Sequence, residues 1–206
     1  MSEIAVYMEG GGDSTGTKAL LRQGISEFLR SLRDSACQKG LHWKVVLCGG
    51  RGATHEAFLN ATKTSPGTFL VLLVDSEGPV ASPLSPRTHL KQHDGWDLPA
   101  ISERSIHLMI QTMEAWIIAD TNAVAGYYGQ YFLKKALPAA DNLEGFEKAR
   151  LENALKRATA KTQKKEYRKI RDAAALLRAI DPGIVRRRCP SCERLFAILS
   201  EAIDVA

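Results

Sequence analysis

Apolar residues in the first half of the chain fall into short continuous runs, and between the runs the spacing lengthens to a helical period. Ile4 to Met8, Trp43 to Cys48 and Thr68 to Val74 read as strands, the third continuous enough to be covered on both faces. A fourth strand is predicted over residues 105–113. Leu20, Leu21, Ile25, Phe28, Leu29 and Leu32 form one stripe, which predicts a single helix over residues 17–38 that ends at Gly40. Gly49-Gly50-Arg51-Gly52 closes the second strand, Thr54 stands where it can cap a short helix through Leu59 and Ala61, and Ser65-Pro66-Gly67 makes a turn. Residues 82–96 are polar and proline-rich, with one helical turn expected near His89. Glu114 opens a helix that runs to Asn122. Beyond it no segment reads as a strand, and helices are predicted near residues 123–137, 143–158, 165–180 and 192–203.

Strand and helix in alternation predict an α/β fold with a mostly parallel, Rossmann-like sheet. Residues 1–122 would form the core, with residues 123–206 as a helical C-terminal part packed on it. Ligands of such sheets lie beyond the carboxyl ends of the strands. Glu9 ends the first strand, Asp75-Ser76-Glu77 the third, and Glu114 follows the fourth.

The glycine-rich stretch Met8 to Lys18 (MEGGGDSTGTK) raises the question of a phosphate-binding loop. Gly11 and Gly16 have the separation of a Walker A loop, but Thr17-Lys18 follow in the wrong order. A dinucleotide-binding pattern fails at Thr15, and no acid ends the second strand. The glycines have another use: they allow a sharp turn and leave Glu9 unobstructed at the crevice. Glu9 and Asp13 can approach one ion across that turn, although Asp13 could equally cap the following helix. Asp75 and Glu77 can share an ion just past their strand, and Glu114 can assist, although an acid at a helix start is also favoured by the helix dipole. The expected ion is Mg²⁺ or Mn²⁺, with Lys169 stabilising developing charge. Cys189-x-x-Cys192 lacks a second ligand pair for zinc and reads as a helix start, with Ser191 as its cap.

Length and charge narrow the class. The 206 residues suffice for one good core. No apolar run could span a bilayer and no signal peptide is evident, so a cytoplasmic protein with reduced thiols and no membrane partner is expected. The net charge of +5 is unevenly spread: over residues 148–188 basic residues outnumber acidic ones roughly three to one. Lys164, Lys165, Arg168, Lys169 and Arg171 are expected on one helix face, extended by Arg186, Arg187 and Arg188. Such a face can neutralise the phosphates of a nucleic acid, dock an acidic partner or simply be solvated.

At Glu9 and at Asp75-x-Glu77 the chain resembles the Toprim fold, the catalytic domain of topoisomerases, primases and overcoming-lysogenization-defect nucleases. That pattern has a glutamate after the first strand and Asp-x-Asp after the third; Glu77 departs from it, and Asp13 matches an additional acid of the nuclease branch. A closer resemblance is to a bacterial Toprim-like family of uncharacterised function. It rests on MEGGGD at 8–13, VDSEGP at 74–79, MEAWIIAD at 113–120, KEYRKI at 165–170 and RRRCPSCERL at 186–195. Members of that family are often encoded beside ABC- or AAA-type ATPases in genome-defence islands. The resemblance implies a metal-dependent nuclease, with a non-catalytic subunit that docks on such an ATPase as the alternative.

Overall fold

The computed structural model describes residues 1–12, 14–81, 84–98 and 101–206. Four parallel strands form one sheet in the order β2-β1-β3-β4: β1 Glu3–Glu9, β2 His42–Gly49, β3 Thr68–Asp75 and β4 Ile106–Met109. The central strands β1 and β3 are the most apolar, because both of their faces are covered. Ile4, Val6 and Met8 point into one core, while Ala5 and Tyr7 face the other. The fold is therefore the α/β class expected from the sequence, and its sheet is parallel throughout.

Helices α1 (Thr15–Phe28), α2 (Arg30–Gln38) and α3 (Arg51–Thr64) join the first three strands. The expected single helix over 17–38 is interrupted at Leu29, whose φ and ψ of −93° and 14° leave the helix. No breaker residue stands there. The interruption is tertiary: Leu29 is fully buried, and the redirected α2 packs on β2 and on the last helix. On the opposite face α3 places Phe58 against the sheet, together with α4 (Pro86–Asp94). The sequence of α4 explains its limits. Ser85 accepts the Thr88 N–H, Pro86 occupies the first helical position, and Gly95 ends the helix at φ 71°. The single turn expected near His89 is thus a full nine-residue helix.

Six helices follow β4: α5 Met113–Ala119, α6 Thr121–Tyr128, α7 Lys148–Thr159, α8 Lys169–Ala179, α9 Pro182–Arg188 and α10 Pro190–Asp204. The short α9 was not expected. Strand β4 stops at Met109, before the predicted 113, and α8 begins four residues later than predicted. Ser191 does not cap α10: Cys189 holds that position, and the Ser191 hydroxyl is buried without a partner. These helices and the sheet share one apolar cluster, in which Phe28 stacks on Trp116 at 5.3 Å.

Helices α1 and α8 pack unusually closely. A Cβ on Gly24 would lie 2.6 Å from the Ala174 carbonyl oxygen and 2.9 Å from its Cα. Backbone cannot yield as a side-chain tip can, so Gly24→Ala must push the helices apart. It is expected to cost about 1–3 kcal/mol, measured by urea denaturation, whereas Gly52→Ala, at an open position, should not show this clash penalty.

Candidate metal centre

With strand order 2-1-3-4, the chain leaves β1 in one direction and β3 in the other, so the crevice opens between their carboxyl ends. Glu9 and Asp75 stand at those two ends, and Glu77 follows two residues later. One carboxylate oxygen from each of Glu9, Asp75 and Glu77 lies within 4.8 Å of the other two. Such a set of hard oxygen donors is able to hold a divalent ion.

Backbone geometry fixes each acid. Gly10, Gly11 and Gly12 have φ of 121°, 81° and 59°, which side-chain-bearing residues rarely adopt, and they turn the chain away so that Glu9 projects freely. Glu9 accepts the Asp75 N–H at 2.9 Å, which ties the two strand ends together. Asp75 is 2 % exposed and accepts the Met113 N–H, the first of α5, at 2.8 Å. Glu77 sits in the left-handed region at φ 62°, held there by its N–H donating to the Gln111 carbonyl at 3.0 Å.

Three basic side chains balance these acids. Arg51, at the start of α3, donates to Glu9 at 3.3 Å and to the Asp75 carbonyl at 2.7 Å, while its other nitrogens fork onto Asp94 of α4 at 2.6 and 2.8 Å. The Lys148 Nζ lies 2.7 Å from both Glu77 oxygens. The Lys169 Nζ lies 3.0 Å from Asp75 and 3.4 Å from Glu114. Burial pushes the Asp75 carboxyl above its usual range despite the opposing Lys169 charge. Burial also raises Glu9, and the Asp75 charge adds to that rise against the pull of Arg51. Burial acts on Glu114 in the same sense, but Lys169 and the hydroxyls of Thr112 and Tyr167 outweigh it and leave its carboxyl below the usual range.

The chain matches a family described as a domain of unknown function (DUF4276) over residues 8–200. It belongs to that family. The match to the DUF4276 family runs from the end of β1 into α10. No curated protein matches the chain, and no solved structure does.

The remaining residues expected at the site fall into separate groups. Asp13 lies outside the described residues. Glu114 is fully buried beside the three-acid group, and its oxygens are taken by Tyr167 at 2.8 Å and Thr112 at 2.5 Å. Lys164, Lys165 and Arg168 do not share a helix face with Lys169 and Arg171, because α8 begins at Lys169. The preceding chain is held out of the helix: the Tyr167 N–H donates to Thr159 at 2.8 Å, its ring is buried to reach Glu114, and Asp172 accepts the Arg168 N–H at 2.9 Å. Arg171 is engaged with Asp172, and Arg186 with Glu193, both at 2.6 Å. Arg188 is tied to the Ala119 and Ala140 carbonyls at 2.7 and 2.6 Å, where it closes the end of α5. Lys164, Lys165, Arg168 and Arg187 stay exposed. Sequence reasoning missed Lys148, which has no local pattern around it, and Arg51, whose place directly after the second strand was a usable signal.

Lys169 carries the charge balance of Asp75 and Glu114, so Lys169→Met should destabilise the protein at pH 7.5. A loss of about 2–3 kcal/mol is expected, below that for a fully buried pair because the Lys169 side chain is 39 % exposed. Without the cation both carboxyls take folded pKa values above their unfolded ones. The stability they contribute is then present at low pH and lost as pH rises through the folded values. The deficit of the variant should therefore shrink as pH falls from 7.5 towards 5, as followed by urea denaturation across that range.

Proposed function

We propose that the protein is a Toprim-like nuclease, cleaving nucleic-acid phosphodiesters with Mg²⁺ or Mn²⁺ and operating beside an ABC- or AAA-type ATPase as a genome-defence effector. One observation carries the reading: three carboxylates from two strand ends converge within 4.8 Å at the position where parallel sheets bind ligands. Glu9, Asp75 and Glu77 would hold the ion, and a dication suits them because crowding and burial disfavour charge on Glu9 and Asp75. When bound, such an ion supplies a water of lowered pKa and positive charge at the leaving oxygen. The chain supplies the rest. The Lys169 charge favours the ionised forms of Asp75 and Glu114, while Arg51 and Lys148 border the same pocket and offer N–H donors to phosphate oxygens. The exposed Lys164, Lys165 and Arg168 suit a phosphate backbone.

A second reading, a non-catalytic subunit that docks on an ATPase, is favoured by one observation: Arg51, Lys148 and Lys169 already pair with the three acids, as a structural ion-pair network would. Mn²⁺ calorimetry separates the two. On the nuclease reading the wild type binds Mn²⁺, and Asp75→Asn weakens binding by more than the about 10–100-fold that losing an outer partner costs. The same variant should lose cleavage of single- and double-stranded DNA and RNA. Protons compete for Glu9 and Asp75, whose carboxyls titrate above the usual range, so Mn²⁺ affinity should fall from pH 7.5 to pH 5.5. Equal Mn²⁺ binding by both forms, or none by the wild type, contradicts the nuclease reading.

A further inference from the structure

The pocket in front of the acids encloses about 280 Å³, near the lower limit of small-molecule sites. Its two sides differ. One carries the carboxylates with Arg51, Lys148 and Lys169. The other is apolar, made by Leu21 of α1 and Ile170, Ala173 and Ala174 of α8, while Met109 and Met113 flank Asp75. A phosphodiester backbone has no use for an apolar wall, whereas the base attached to it does. At the rim the apolar side chain of Ile170 is 64 % exposed. The glycine turn approaches it there: a Cβ on Gly12 would lie 3.8 Å from Ile170 Cδ1, so the turn and α8 narrow the mouth.

Resting on the nuclease reading, we infer that this pocket takes one unpaired nucleotide, its base on the α8 wall and its phosphate at the acids, and that the substrate is single-stranded. A stacked, paired base cannot present itself to such a wall without leaving the helix. The exposed Lys164, Lys165 and Arg168 immediately precede Lys169 in the chain and provide cations for the strand beyond the pocket.

Fluorescence anisotropy in Ca²⁺ with a labelled ten-nucleotide single strand, the same sequence as a blunt duplex, and thymidine monophosphate as competitor tests this, with Mn²⁺ calorimetry alongside. The wild type should prefer the single strand, and thymidine monophosphate should displace it. Ala174→Leu, which fills the wall, should weaken single-strand binding about tenfold, the effect of displacing on the order of 60 Å² of apolar contact. Ile170→Ala, at an exposed position that folding tolerates and away from the tight contact of Ala174 with Gly24, should weaken single-strand binding in the same direction while Mn²⁺ binding stays unchanged. Equal affinity for duplex and single strand, no affinity for either, or single-strand binding unaffected by both variants overturns the inference. Binding of thymidine monophosphate without the strand also overturns it. If the single strand binds and both variants lose it while no Mn²⁺ binds, the pocket assignment stands and the metal reading fails.

Discussion

Much of this structure depends on one ammonium group. Lys169 stands between Asp75 at the end of β3 and Glu114 at the start of α5, and both carboxylates are almost wholly withdrawn from water. Burying two acids side by side costs several kcal/mol unless a cation and hydrogen bonds answer them. The answer comes from residues far along the chain. Tyr167 and Lys169 bring a hydroxyl and an ammonium, and α8 is seated for this by its close approach to α1 at Gly24. The C-terminal helices thereby form one wall of the crevice. The polar half of the pocket belongs mainly to the strand ends and the apolar half largely to α8.

The main features of this arrangement were legible in the sequence where the signal is local. Continuous apolar runs marked β1, β2 and β3, and acids directly after β1 and β3 marked the crevice, because a parallel sheet brings alternate strand ends together. Lys169 was expected to stabilise developing charge, and the structure sets its ammonium against Asp75 and Glu114. Signals that depend on tertiary contact were not legible. The break at Leu29 has no breaker residue. The late start of α8 follows from Tyr167 being drawn inward to Glu114, although basic spacing alone suggested a helix face. Arg186 and Arg188 look like a polyanion surface in the sequence, yet one pairs with Glu193 and the other holds backbone carbonyls of α5 and of the segment between α6 and α7. Lys148 reaches Glu77 across 71 positions, a distance over which no sequence pattern operates.

The balance of charge at the site bears directly on function. Arg51, Lys148 and Lys169 each contact one of Glu9, Glu77 and Asp75, but Arg51 also answers Asp94 and Lys169 also answers Glu114, so five acids meet three bases. What distinguishes a catalytic centre from a structural network is whether the carboxylates accept a divalent ion in place of part of that basic shell. Diffraction from crystals soaked in Mn²⁺, recorded where manganese scatters anomalously, addresses that question at the atoms concerned. The account predicts an anomalous peak bridged by the carboxylates of Glu9, Asp75 and Glu77. Crystals that show no peak among these three acids, with Lys148 still on Glu77 and Lys169 still on Asp75, would contradict it.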